Sequence, residues 1–540
     1  MSRIRNAVAK ANSKVSIQLA ASMLAASTLL SSGLGLFRER LLNGYYFDTY
    51  PVGLDAYTVA FTIPDFMYLL LVSGALSVTF IPVFNQRLAT GNKKSAWALS
   101  TSLMNFMALI TLATSVLIII FAEPLVRYVV APGLDESGRN LAISMMRVVA
   151  VNPFLFAVST VIASMQQAIG RFTFFALAPM LYNVGIIIGI LFFTDGITLF
   201  GWRIFDGGIM GVALGVVLGA ILNLLVSAIG LFGLGFDYQF KIYRKNKGFL
   251  QVLRLLPARS LDQGADYLNG IVEINLASRL GAGAIRAFQQ ASMLHMVPVN
   301  LIGSAISTAA FPEMTSRLGQ GRPDLFKKEL QMVLRVIIWL ALPTATITFF
   351  ARGYLVNFAK EGGVPLIADL LGILAVAILF RSIYHIAARS FYAQQDTKTP
   401  LYVSTFAIAL NITLAVWFTM KLGYGVHGIA WAGVIASIIE VLMLFRIMSR
   451  RIPGIFDVVF VHAVARMASA TGFMAVVTYA TVRAMPLVAD GRGLASSIPR
   501  FMVIAALSFA AYILFCWMFR LKEVDPILIR VRKFLFNQAR

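Results

Sequence analysis

SGALSVTFIPVFNQRLATG, residues 73–91, returns 230 positions later as GSAISTAAFPEMTSRLGQG, residues 303–321. Ala75 meets Ala305, Ser77 meets Ser307, Pro82 meets Pro312, Arg87 meets Arg317, Leu88 meets Leu318 and Gly91 meets Gly321. Further out, Pro64 pairs with Pro298 at a slightly different offset. Gln166, Gln167 and Asn183 pair with Gln394, Gln395 and Asn411, and Gly208, Gly211 and Asn223 with Gly425, Gly428 and Glu440. Shared small and proline residues produce some matches in any apolar chain, but three segments in the same order point to an internal duplication.

What is duplicated is a set of membrane spans. The chain has 540 residues, 59% hydrophobic and 13% charged, against about 25% charged in an ordinary soluble domain. Apolar runs recur from end to end, and no polar stretch between them is long enough for a separate core. At about 20 mostly apolar residues per span, fourteen fall near 15–37, 56–84, 96–122, 140–165, 173–194, 208–235, 250–279, 287–312, 328–350, 366–391, 399–420, 427–448, 461–486 and 498–520. Spans one to six repeat as seven to twelve, and because six is even both copies enter the membrane in the same direction. The expected fold is an all-α polytopic membrane protein, with an N-lobe over 1–236, a C-lobe over 237–450, and two further spans with a basic tail over 451–540. Transporters use such parallel repeats to enclose a central site.

Lys and Arg number 46 against 24 Asp and Glu, a balance that in a soluble protein would suggest nucleic acid. Here the basic residues cluster between spans. With a retained N-terminus on the inner side, the inner loops and tails hold about twice as many of them as the outer loops. Both termini are therefore expected in the cytoplasm. A pyrophosphate-bearing substrate is a second source of demand for cations. The N-terminal basic segment followed by an apolar run resembles a signal peptide, but the run continues well past Ala21–Ala26. The single cysteine, Cys516, excludes an internal disulfide, and four scattered histidines suggest no metal site.

Ionisable groups inside a span are costly and face a cavity, a partner or the interface. In span seven, with Arg259 at zero and 100° per residue, Asp262 falls at about 300°, Asp266 at about 340° and Glu273 at about 320°. These four share one face, as the lining of an aqueous cavity or, for Arg259 with Asp262 or Asp266, as a structural ion pair. Glu273 has no in-helix cation and is the better candidate for a proton or metal ion. In span ten Arg381, His385 and Arg389 share a face, with Arg389 placed to snorkel. Arg147, Asn223 and Glu440 are further polar groups expected to be buried, while His295 and Arg466 have no evident partner. The first outer loop carries Arg38, Glu39, Arg40, Asp48 and Asp55. Arginine's planar fork binds phosphate oxygens in a bidentate way, although a lone arginine at a helix end is more often an interfacial anchor. No Walker loop, His-Glu-x-x-His helix or Gly-x-Ser-x-Gly elbow is present, so no enzyme is expected.

Several stretches resemble the MurJ/MviN family of lipid II flippases. They are GLGLFRERLL at 33–42, LDAYTVAFTIPDFMYLLLVSGALSVTFIPVF at 54–84, FALAPMLYNVGIIIG at 175–189, the LAS of INLASRLGAG at 274–283 and, most specifically, RSFYAQQDTKTP at 389–400. The resemblance covers spans one to twelve. It implies a fourteen-helix exporter of the MOP superfamily in the bacterial inner membrane. Such an exporter moves undecaprenyl-pyrophosphate-linked peptidoglycan precursor, lipid II, outward by alternating access through a cationic cavity. It also implies functional roles for Arg38 and Asp55. Ser32, Tyr68 with Leu69, and a position near Met293 stand where the family carries arginines, so Arg279, Arg286, Arg147 or Arg381 would have to substitute, or the lipid-linked substrate is a modified one. Glu273 matches an acidic sodium ligand of some members and Asn411 a polar one, while Ala415 stands where a second carboxylate would be. No cofactor is expected beyond a coupling ion, Na+ or H+. The expected partners are lipid II, the bilayer and cell-wall synthesis proteins, with no nucleic acid. Two other readings stay open. One is a different MOP-type exporter, of lipid-linked polysaccharide units or cationic drugs; the other is a transport-inactive scaffold for wall synthesis.

Overall fold

The computed structural model describes residues 17–525 apart from 74–75, 200–201, 237, 244–245 and 488–491. The basic residues before residue 17 and those of the C-terminal tail lie outside the described residues, as do the side chains of Arg259, Asp262 and Asp266. The chain divides into two compact units, Met1–Arg286 and Ala287–Arg540.

The first unit holds α1 (Ile17–Tyr46), α2 (Pro51–Tyr68), α3 (Leu76–Ala89), α4 (Lys93–Pro124), α5 (Glu136–Val149), α6 (Asn152–Ala168), α7 (Thr173–Ile188), α8 (Met210–Ile229) and α9 (Lys247–Ala277). Local chemistry sets these boundaries. Pro51 opens α2, where its missing N–H costs nothing. Asn92, Asp135 and Asn246 each accept backbone N–H groups at the starts of α4, α5 and α9. Phe80 and Phe84 of α3, Leu99 and Leu103 of α4, Val161 and Met165 of α6, and Phe249 and Val252 of α9 share one core. The first helix of the second sequence repeat therefore packs within this unit. Helices α7 and α8 meet through glycine: a Cβ on Gly189 would lie 2.5 Å from the Cα of Gly215, and one on Gly185 2.3 Å from that of Gly219. Small residues permit that backbone approach, which supplies dispersion energy where no hydrophobic drive exists between helices in lipid. A short antiparallel hairpin, β1 (Ile197–Leu199) and β2 (Trp202–Phe205), joins α7 to α8; the sequence reading did not anticipate it.

The second unit continues with α10 (Ala284–Val299), whose first turn precedes the division, then α11 (Ala305–Gly319), α12 (Pro323–Phe350), α13 (Arg352–Ala359), α14 (Pro365–Ala393), α15 (Lys398–Val416) and α16 (Gly425–Arg451). The last two helices, α17 (Val458–Ala484) and α18 (Leu494–Met518), place Met467, Met474, Tyr512 and Cys516 in the same core as Leu334 and Trp339 of α12.

The duplication recurs in backbone detail. A π-helical turn at Leu69–Ser73 matches one at Asn300–Ser304, and another at Gly189–Phe193 matches one at Trp417–Lys421. Such turns are rare and are often found at functional sites. Among the described residues twelve helices are long and apolar enough to cross a membrane. The other two of the fourteen expected spans, the first and seventh, are α1 and α9, 30 and 31 residues long. Leu109, Leu117 and Ile120 on α4 are more than half exposed, as lipid-facing side chains must be.

Candidate substrate site in the first unit

The expected first outer loop is largely helical. Helix α1 runs on to Tyr46, so Arg38, Glu39 and Asn43 occupy its last turns, and Asp55 sits inside α2. These residues form a buried polar cluster. Arg38 donates through Nη2 to Glu39 Oε1 at 2.6 Å and through Nη1 to Asn183 Oδ1 of α7 at 3.1 Å. The other oxygen of Glu39 accepts from Arg286 Nη2, while Arg286 Nε and Nη2 both donate to Asn43 Oδ1 at 3.0 and 2.9 Å. Asn183 is held from its amide side, donating to the carbonyls of Ser31 and Pro179, so its oxygen is aimed at Arg38. Asp55 accepts the backbone N–H groups of Gly283 at 2.6 Å and Arg286 at 2.8 Å, in the turn that opens α10.

Two guanidiniums thus share one carboxylate. Glu39 and Arg286 are 5% and 4% exposed as residues, whereas the Arg38 side chain keeps 19% of its surface. Arg38 is the member that can meet a ligand. Arg286 and Asp55 are buried and act by holding Glu39 and the backbone turn in place. Asn43 and Asn183 were not singled out as site residues in the sequence, because a buried amide carries no charge signal.

The remaining candidates are more scattered. Arg279, in the turn after α9, is exposed and donates to Asn275 Oδ1 of that helix at 3.3 Å. Glu273 is half-buried and accepts from Asn269 Nδ2 one turn earlier at 2.9 Å. Asp262 and Asp266 fall among the undescribed side chains. In the second unit Asn411 is buried on α15 and faces Gly433, and Arg381 is half-buried on α14. Arg389 does not simply snorkel: it donates to the carbonyl of Ser304, at the π-turn, at 3.1 Å. Arg147 was expected to be buried but is exposed, with Nε on the carbonyl of Ile119 at 3.3 Å, because it faces away from the buried side of the amphipathic α5. Asn223 is buried and accepts from Ser159 Oγ at 2.6 Å, and its repeat counterpart Glu440 accepts from Ser404 Oγ at 2.7 Å.

The sequence reading passed over Asp65. It lies on α2 with its side chain exposed, one residue after Pro64, and within electrostatic reach of the phenols of Tyr57, Tyr68, Tyr182 and Tyr267. Phe66 and Tyr267 pack at 5.7 Å, and Phe156 lies between Tyr68 and Tyr182 at 5.6 and 5.2 Å. A carboxylate in the middle of an apolar run is a visible signal by the rule already applied to span seven.

The QDTKTP segment forms a clasp between helix ends. Gln395 takes a left-handed φ of 59°, and Asp396 Oδ1 then accepts the N–H groups of Lys398 and Thr399 at 3.0 Å each, capping α15. Its other oxygen accepts from the Thr399 hydroxyl at 2.6 Å and pairs with Arg451, at the end of α16, at 2.6 Å. Arg451 lies 5.0 Å over the Phe391 ring of α14. Hydrogen bonds from Thr399, with the Arg451 charge added, pull the Asp396 carboxyl down to about 2.

Long apolar helices in each of the two units, with a buried arginine–carboxylate cluster in the first, define a multi-pass membrane protein of the transporter class. The family described as "Lipid II flippase MurJ" matches residues 46–489, and the chain belongs to that family. A relative from Bdellovibrio bacteriovorus, described as a probable lipid II flippase MurJ, is 27% identical over 446 residues, 80% of this chain and 82% of its own. A solved structure titled lipid II flippase MurJ, in an inward closed conformation, superposes with a TM-score of 0.72 at 24% identity, covering 92% of this chain and 98% of that one. An inward-facing multidrug resistance MATE family transporter of the MOP superfamily shares the fold at a TM-score of 0.65 and 16% identity, covering 79% of this chain and 96% of that one.

Proposed function

We propose that this protein carries a pyrophosphate-linked lipid precursor, lipid II or a close variant, from the inner to the outer leaflet of the bacterial cytoplasmic membrane. It would do so by alternating access and without covalent catalysis. The observation that carries this reading is the Arg38–Glu39–Arg286 cluster in a chain of the MurJ family. Both arginines of the cluster are held on Glu39, and Asp55 is occupied by the backbone N–H groups of Gly283 and Arg286. The cluster's accessible member is an arginine whose fork is fixed by Asn183 and Glu39 before any ligand arrives, so little orientation entropy is lost on binding a phosphate. Ser32, Tyr68 and Met293 supply no charge, so Arg38 bears more of the anion's recognition here. The exposed carboxylate of Asp65 among tyrosines favours a headgroup that also carries a cationic group.

Expression of this chain in a strain depleted of its own lipid II flippase tests the proposal. The wild type is expected to restore growth and the Arg38→Ala variant to fail at equal protein level. Failure of the wild type while it is correctly inserted points to the other exporter or scaffold reading.

Coupling is proposed to run through Glu273 of the first unit, whose carboxylate accepts from Asn269, taking Na+ or H+. Glu273→Gln is expected to leave lipid binding largely intact while removing the dependence of transport on the ion gradient. Unchanged ion dependence would leave Glu273 as a hydrated structural lining.

A further inference from the structure

The two sequence repeats treat the same corner of the fold differently. In the second unit Arg317, at the end of α11, is paired with Glu313 one turn earlier, and Arg322 is paired with Asp324 at 3.1 Å as α12 begins. At the duplication offset, Arg87 replaces Arg317, but Val83 stands for Glu313 and Lys94 for Asp324. Both counter-charges of the second repeat are missing from the first.

That corner of the first unit is a groove of about 620 Å³ lined by Arg87, Ser95, Lys241, Tyr243, Asn246 and Lys247 together with apolar Ala98 and Ile242, and among the described residues no carboxylate lines it. The volume falls within the range of about 300–1,000 Å³ usual for small-molecule sites. Its walls are built rather than loose. Arg87 Nη1 donates to the Ser95 hydroxyl, Tyr243 N donates to Ser102 Oγ at 2.9 Å, and Asn105 Nδ2 donates to the carbonyls of Gln239 and Lys241 at 2.9 and 3.1 Å. The Arg87 guanidinium lies against the first turn of α9, where a Cβ on Gly248 would meet Nη2 at 2.5 Å. Arg87 is therefore packed beside the positive end of another helix, a like-charge arrangement that a bound anion relieves.

We propose that this groove binds the phosphate of an anionic membrane lipid, with Arg87, Lys241 and Lys247 as its cations and Ala98 and Ile242 as the start of the path for the acyl chains. The turn between α3 and α4 and the chain leading into α9 are the places where spans emerge into water, the level at which a lipid headgroup lies. Basic pockets between helices at that level recognise lipid phosphates. The site is separate from Arg38 and does not depend on the transported substrate.

Native mass spectrometry of the full-length chain tests it, with phosphatidylglycerol, phosphatidylcholine and inorganic phosphate as separate probes. Phosphatidylglycerol is expected to bind at least about fivefold more tightly than phosphatidylcholine, and Arg87→Gln to weaken it by about five- to tenfold. Ser95→Glu supplies the missing carboxylate at the third position of α4, where glutamate suits a helix start, and is expected to weaken it equally at an unchanged melting temperature. Arg317→Gln in the neutralised corner should have no effect. Equal phosphatidylglycerol binding by wild type and Ser95→Glu overturns the proposal. Displacement of the lipid by millimolar inorganic phosphate would make free phosphate the ligand and overturn the lipid assignment.

Discussion

Arg38 and Arg286 share Glu39 but differ in what each can do. Arg286 is buried with its guanidinium spent on Glu39 and Asn43, so Arg286→Ala leaves a carboxylate buried beside Arg38 alone. Breaking a buried pair in this way costs roughly 3–5 kcal/mol. Arg286→Ala is expected to lower the melting temperature of the detergent-purified protein by many degrees. Arg38→Ala should cost less stability, because its side chain is partly solvated and Arg286 still neutralises Glu39, but should remove transport. Arg38→Lys keeps the charge and loses the fork, and is expected to fall between. Similar melting temperatures for Arg38→Ala and Arg286→Ala would reject the division into a ligand-facing and a positioning arginine. In the sequence Arg38 read as an interfacial anchor more readily than as a site. What separates the two readings is Asn183, 145 residues away, and no periodicity brings that amide to the end of α1.

At the scale of elements, the spans and their duplication were legible because they rest on composition and on repeated residues. The π-turns were not, since they reflect one extra residue per turn and leave no apolar signature. The hairpin between α7 and α8 was missed for a related reason: its strands are three and four residues long, too short for alternation to register. The clasp at Asp396 was legible as a motif but not as chemistry, because Arg451 arrives from a different helix. Its consequence is a pH dependence. The folded carboxyl sits at about 2, below the roughly 3.9 of a free aspartate. Its stabilisation is therefore complete above pH 4 and is lost as pH falls from about 4 to about 2. Wild type is expected to melt above Asp396→Asn at neutral pH, with the gap closing across that window. A gap that persists at pH 2 would mean that the asparagine disturbs the backbone cap rather than removing a charge.

For the whole molecule, orientation follows from counting cations by loop rather than from any single contact. The expected inner side gathers about twice as many basic residues as the outer loops, and an even number of spans returns the chain to the side where it began. The described residues supply two exposed reporters on opposite expected faces: Arg203, on the hairpin between spans five and six, and Lys94, at the turn after span two. The native thiol of Cys516 is fully buried, so cysteines placed at these positions report against a quiet background. Arg203→Cys and a cysteine in the loop between α17 and α18 are expected to react with an impermeant maleimide added to whole cells. Lys94→Cys and tags at either terminus should react only after permeabilisation. Labelling of Lys94→Cys in intact cells would invert the topology. The groove at Arg87 would then face the outer leaflet, and the substrate would travel inward relative to the direction proposed here.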